Sequence, residues 1–156
     1  MSVSVRRALS ADMDHILALE AAFPAADRIA KRSLQRLLKR DSAVILVAED
    51  TSGIIGAAVI LFRQNAHTAR LYSIAVSEAA TGRGVGAALL TSILQIARQR
   101  DCTRIRLEVR PTNLRAQKRY AQFGFYPIGR KHRYYADGED ALRMETQLLD
   151  HTETPK

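Results

Sequence analysis

Residues 81–90 read TGRGVGAALL, and how these ten positions are read decides the fold. Gly82, Gly84 and Gly86 alternate with other residues before an apolar run begins. Glycine loses more backbone freedom on folding than any other residue, so such a cluster marks a need that a side chain would obstruct. Either the chain makes a soft turn ahead of a helix, or bare backbone approaches a ligand. A helix N-terminus, with unpaired N–H groups and the positive end of its dipole, suits an anion such as phosphate. The ten residues alone leave both readings open.

The flanking segments place the glycines at a strand-to-helix turn. TARLYSIAV (68–76) reads as a strand, and a helix is predicted from about Arg83 to Arg100, with Leu89, Leu90, Ile93, Leu94 and Ile96/Ala97 as its apolar stripe. TRIRLEV (103–109) alternates as a strand, with Ile105, Leu107 and Val109 on one face and Arg104, Arg106 and Glu108 on the other. Pro111-Thr112-Asn113 then opens a further helix through about Phe123, which Gly124 ends. Upstream, VSVRRA (3–8) reads as a strand and Ser10 as the N-cap of a helix through Phe23, stopped by Pro24. A second helix is predicted from about Asp27 to Arg40, with Leu34, Leu37 and Leu38 inward. SAVILVAED (42–50) and IIGAAVILFRQ (54–64) form a hairpin across the TSG turn. Downstream, FYPIGRKHRYY (125–135) and ALRMETQLL (141–149) form a last strand pair. The order is βααβββαβαββ, an α/β (α+β) class with a mixed, mostly antiparallel sheet flanked by helices. The glycines fall at the one crossover that joins parallel strands, where ligands of open α/β sheets bind.

Length and composition bound the answer. At 156 residues the chain makes one domain, expected over 1–150, with 151–156 as a frayed tail. Cys102 is the single cysteine, so an internal disulfide is excluded; it reads as a buried small hydrophobe, and a cytoplasmic location is expected. No apolar run approaches a membrane span, and the N-terminus lacks the apolar core of a signal peptide. The net charge of +8 attracts anionic partners, yet the basic residues are spread along the chain, without zinc-finger spacing or basic–aromatic strands. Direct binding to nucleic acid is not expected, nor to a membrane, and a monomer or weak dimer is.

Most known chemistries fail on spacing. A P-loop requires Lys-Ser or Lys-Thr after its glycines, and none follows here. A dinucleotide fingerprint gains from Glu108 at the end of the next strand, but the GxGxG spacing misplaces its third glycine, and hairpins stand where parallel units belong. His15, His67, His132 and His151 are isolated, so no metal site is expected. No GxSxG nucleophile elbow is present. What remains is a pyrophosphate cradle of backbone N–H groups over Gly82-Arg83-Gly84-Val85-Gly86-Ala87.

LYSIAV, TGRGVGAALL, LEVRPTN, AQKRYAQFGF and RYYADGEDALRM, in this order and spacing, resemble the GCN5-related N-acetyltransferases, and among them the ribosomal-protein-alanine N-acetyltransferases. The resemblance implies an acetyl-coenzyme A-dependent enzyme whose glycine loop binds the cofactor's pyrophosphate. It implies that Glu108 is the general base and that Tyr120 is the general acid toward the coenzyme A sulfur. Ile74, Ala75 and Val76 match the strand that binds the pantetheine arm, and Asn113 matches a cofactor contact, although it is also a natural N-cap. Thr81 departs from the Arg or Gln usual at the first motif position, and Arg83 is the neighbour able to replace part of that contact. Phe23, Pro24, Tyr134 and Tyr135 match the substrate-peptide site, with Ala25 where relatives carry an aromatic residue. The implied acceptor is the N-terminal α-amine of a protein, with a ribosomal protein as one candidate by this likeness; a lysine or small-molecule amine is the alternative, and a non-catalytic acyl-coenzyme A sensor or ribosome-associated module the alternative of another class.

Overall fold

Val44, Ile45, Leu46, Val47 and Ala48 form an unbroken apolar run, and a strand that is apolar on both faces needs cover on both. The computed structural model describes residues 2–148; the tail expected to fray over 151–156 lies outside them. Seven strands form one sheet: β1 (Ser4–Arg7), β2 (Ala43–Asp50), β3 (Gly53–Leu61), β4 (Thr68–Val76), β5 (Arg104–Val109), β6 (Tyr126–Lys131) and β7 (Ala141–Gln147). Their spatial order is β1-β2-β3-β4-β5-β7-β6, and every neighbouring pair is antiparallel except β4–β5. Helices α1 (Met13–Glu20) and α2 (Lys31–Leu38) precede β2, α3 (Val85–Gln99) bridges the parallel pair, and α4 (Leu114–Gln122) follows β5.

The two faces of β2 explain its composition. Val44, Leu46 and Ala48 pack with Leu89, Leu90 and Ile93 of α3, whereas Ile45 and Val47 pack with Ile16 of α1 and Leu34 of α2. Helices therefore cover both sides of the central strands. Gly56 of β3 is needed for this packing, because a Cβ there would lie 2.7 Å from Cγ1 of Val85. Cys102 is buried at the α3–β5 junction, and burial raises its thiol pKa, opposite to what a reactive thiolate requires.

Several boundaries differ from the sequence expectation. Ser10 does not cap α1; it lies in a single 3-10 turn, Ser10–Asp12, and the Asp12 carboxylate accepts the Leu9 N–H at 2.7 Å while holding Arg6. Helix α1 ends at Glu20, short of Phe23. Helix α2 begins at Lys31 rather than Asp27, because the Ile29 N–H is claimed by the Glu20 carboxylate at 2.9 Å and the chain at Ala30 is extended. Tyr134 and Tyr135 lie beyond β6, in the connection to β7.

The site is made by a fork in the sheet. Pairing of β4 with β5 is confined to Thr68–Arg70 against Arg104–Arg106, although both strands continue. In β4 the register against β3 slips at Tyr72, since Val59 pairs with Ser73 and Ile60 with Leu71. Such a bulge bends its strand, and here it turns Ser73–Val76 away from β5.

Candidate active site

Beyond the fork, each strand leaves an unpaired edge facing the other, and a cleft of about 620 Å³ opens between them. Residues 71–76 of β4 line one wall; Leu107, Glu108 and Val109 of β5, with Asn113, Arg115, Ala116, Arg119 and Tyr120 from the start and face of α4, line the other. Phe23, Pro24, Ala26 and Asp27 close one end together with Tyr134, Tyr135 and Ala136.

Alternation along β5 buries Ile105, Leu107 and Val109 and turns Glu108 into the cleft. The neighbouring arginines do not hold it: Arg106 pairs with Glu145 at 2.7 Å and Arg110 with Asp27 and Asp137 at 2.9 Å each. Glu108 pairs instead with Arg70, at 2.5 Å, and its side chain is 8% exposed. The Tyr134 hydroxyl donates to the same carboxylate at 3.3 Å and accepts from Arg70. Glu108, Arg70 and Tyr134 thus form one cluster.

Tyr120 is 7% exposed and packs on Phe125, the ring centroids 5.6 Å apart. Burial pushes its hydroxyl pKa up to about 12, so the proton-bearing form dominates at neutral pH. Asn113 caps α4, its Oδ1 accepting the Ala116 N–H at 3.1 Å. Because that bond uses only the carbonyl oxygen, the Asn113 amide N–H₂ still has both donors.

The glycine loop divides into distinct tasks. Gly82 and Gly84 have φ of 84° and 77°, in the left-handed region where a Cβ is penalised. Gly84 is the N-cap of α3 and no side chain caps that helix, so its first-turn N–H groups remain available as donors. Gly86 answers to a different neighbour: a Cβ would sit 2.8 Å from Nε of Arg119. Val85 is fully buried, and Gly82, Gly84, Gly86 and Ala87 lie beside the cleft without lining it; Thr81 lines it. The Arg83 side chain is engaged outside the cleft. Its guanidinium is bound at 2.7 Å to Asp50, the last residue of β2, and Asp50 is held down to about pKa 2 by hydrogen bonds from Ser52 and Arg83.

The acetyltransferase (GNAT) family profile matches residues 11–125. The chain belongs to this family. A protein of Bacillus subtilis (strain 168) named "Putative ribosomal protein bS18-alanine N-acetyltransferase" is 32% identical over 142 residues, which span 90% of this GNAT chain and 93% of that one. "N-alpha-acetyltransferase 30" of Xenopus laevis is 29% identical over 103 residues, 66% of this chain and 38% of the relative. The crystal structure of the ribosomal-protein-S18-alanine N-acetyltransferase from Escherichia coli superposes with a TM-score of 0.81 at 22% identity, covering 99% of both chains, a likeness of fold. The protein is thus a GNAT-type N-acetyltransferase, and the family's acetyl donor is acetyl-coenzyme A.

The residues present fit that donor. An extended arm can pair with the free edge of β4, and a pyrophosphate needs donors near the N-terminus of α3. Arg115 and Arg119 both reach the cleft, and the missing side chain at Gly86 is what lets Arg119 lie against that N-terminus. Sequence reasoning passed over these two arginines. Their spacing of i, i+4 on a helix opened by the Asn113 cap was the available signal, since it puts both on one face. It also passed over Arg70, whose partners lie far along the chain and whose buried Nε has no acceptor among the described residues.

Proposed function

We propose that this GNAT enzyme acetylates the N-terminal α-amine of a protein, with Glu108 as general base and Tyr120 as general acid. The observation that supports it most directly is that both side chains line one cleft, whose far end is walled by two loops, at 23–27 and 134–136. Acetyl-coenzyme A supplies the acetyl group as a thioester. The residues of this chain do the rest. Near pH 7 an α-amine is largely protonated and not nucleophilic. Glu108, fixed by Arg70 and Tyr134, takes that proton directly or through one water. Tyr120 keeps its own proton because it is desolvated, and it donates that proton to the departing sulfur.

Backbone groups of Ile74, Ala75 and Val76 receive the pantetheine arm. The N–H groups over Gly82–Ala87, with Thr81, Arg119 and Arg115 beside them, take the pyrophosphate, and the free Asn113 amide adds a donor. Phe23, Pro24, Tyr134 and Tyr135 receive the first residues of the acceptor. Such a ring-lined pocket closed at one end suits a chain terminus. The relatives named for ribosomal-protein-alanine and N-alpha acetylation support the same class of acceptor.

Release of free coenzyme A thiol, followed with peptides bearing free or blocked N-termini, each with and without a lysine, tests this reading. Turnover is expected with free termini whether or not lysine is present. Turnover that survives blocking of the N-terminus overturns it.

A further inference from the structure

We propose that Arg110 is a specificity-determining residue: it latches together the two loops that wall the acceptor end, so that the cleft admits the end of a chain and rejects lysines in mid-chain and polyamines. This inference rests on the α-amine reading above. Arg110 directly follows β5, two residues from Glu108, and its side chain is 20% exposed. Its Nε and Nη2 donate to the two oxygens of Asp27 at 2.9 and 3.0 Å, and its Nη1 donates to Asp137 at 2.9 Å. The guanidinium carbon lies 4.1 Å from the ring centroid of Tyr135, within cation–π range. One side chain thus binds the loop after α1, the loop after β6 and an aromatic wall of the cleft.

Each component is also held by bonds that do not involve the Arg110 guanidinium. The Arg110 carbonyl accepts from the Asn113 N–H at 2.9 Å and from Gln117 Nε2 at 3.1 Å, which pins its backbone to the start of α4. Asp27 donates its N–H to the Pro24 carbonyl at 2.8 Å. The second loop is a closed turn: Tyr135 N–H donates to the Glu139 carbonyl, Gly138 N–H to the Tyr135 carbonyl, and Asp137 accepts the Glu139 N–H. Arg110 therefore joins two stiff loops, and little order remains to be imposed when it does so.

Two effects follow, one against each class of wrong acceptor. A terminal amine enters with chain leaving on one side, whereas a mid-chain lysine carries chain on both sides and needs the loops parted. A polyamine enters by a terminal amine as a chain end does, so charge, not shape, acts against it. Arg110 offsets Asp27 and Asp137, and the Glu108 carboxylate is already matched by Arg70. Without Arg110, Asp27 in the cleft lining and Asp137 next to it lose their cation and attract a polycation more than a singly charged α-amine. Rejecting the wrong acceptor by withholding a countercharge is specificity by negative means.

The test compares wild type, Arg110→Ala and Asp137→Asn. Each is assayed for kcat/KM with a lysine-free peptide of free N-terminus, an N-blocked peptide with one central lysine, and spermidine, and for coenzyme A affinity by calorimetry. In Arg110→Ala the preference for the free terminus is expected to fall by about tenfold, as for loss of a partly buried, hydrogen-bonded charge pair. Asp137→Asn should shift the preference over the lysine peptide in the same direction by less, and coenzyme A affinity should be unchanged in both. An unchanged preference in folded Arg110→Ala overturns the latch; if that variant does not fold, an unchanged preference in Asp137→Asn overturns it. A wild type without preference for the free terminus removes the α-amine reading itself, which separates the two failures.

Discussion

Arg70 and Glu108 meet at the vertex of the fork, guanidinium and carboxylate 2.5 Å apart, where the β4–β5 ladder ends. Arg70 belongs to the last parallel pair, with Arg106, and Glu108 is the next residue on the same face of β5. The contact closes the bottom of the cleft and fixes one rotamer of the carboxylate.

Glu108→Gln is expected to lower kcat by about 10²–10⁴-fold, the usual scale for a lost general base. Arg70→Gln leaves the carboxylate but not its orientation, and misplacement of this kind costs up to about 10²-fold. Because Arg70 acts through Glu108, adding Arg70→Gln to Glu108→Gln should lower kcat little further. Steady-state kinetics of the two single variants and the double variant check this. Losses that multiply would show that Arg70 acts elsewhere.

Gly86→Ala tests the cofactor end. The added Cβ meets Nε, Cδ and Cζ of Arg119 at 2.8, 2.9 and 3.0 Å, so the guanidinium must move from its place beside the α3 N-terminus. KM for acetyl-coenzyme A is expected to rise roughly ten- to a hundredfold, the worth of a hydrogen bond to a charged group, with kcat little changed. Arg119→Ala should give the same phenotype, and the double variant no more than either. Gly84→Ala is different in kind: its φ of 77° makes the substitution cost about 1–2 kcal/mol of stability, read in denaturant melts.

Tyr120 contributes through a proton it holds tightly. A raised pKa keeps the neutral hydroxyl to higher pH, and with a value near 12 the group does not ionise across the usual assay range. Tyr120→Phe is expected to lower kcat by about 10²-fold or more, the lower end for a general acid. The ratio of wild-type to variant kcat should then stay flat from pH 6.5 to pH 10 (on the order of two units below its pKa). An alkaline limb present in wild type and absent in Tyr120→Phe would contradict the raised pKa, whereas an unchanged kcat in Tyr120→Phe would contradict the general-acid role.

These sites differ in how much the sequence reveals. The unbroken apolar run of β2, the alternation of β5 and the glycine-led α3 each state their surroundings through composition, so the layered sheet and its crossover are readable. Local pattern also places Glu108 on the polar face of β5 and Asn113 as a cap. Partnerships across the chain are not readable in this way. Arg83 looks like a cofactor ligand from its neighbours, yet it pairs with Asp50 at the end of β2. Arg110 stands two residues from Glu108, yet its partners are Asp27 and Asp137, in two loops separated by most of the chain. The start of α2 was misplaced for the same reason, since the Glu20 carboxylate removes the Ile29 N–H from any helix.

Glu20 provides a measurement of that last contact. It is 3% exposed; its carboxylate accepts the Ile29 N–H at 2.9 Å and the Ser73 hydroxyl at 2.7 Å, tying α1 to the β4 wall of the cleft and to the chain just before α2. Burial raises its pKa, only partly opposed by these two bonds. For an acid with a raised native pKa, the native state binds more protons than the unfolded state between the two pKa values, so stability falls as pH rises through that window. Glutamine resembles the protonated form: its Oε1 accepts from Ile29 and its amide donates to the Ser73 oxygen, which keeps both connections. Glu20→Gln is therefore expected to melt above wild type at pH 7.5, with the advantage shrinking as pH falls toward about 4, near the unfolded glutamate pKa. Paired thermal melts across this range check it, the difference between the two proteins cancelling every other titrating group. A Tm difference independent of pH would place the effect in packing and leave the charge of Glu20 without a role in stability.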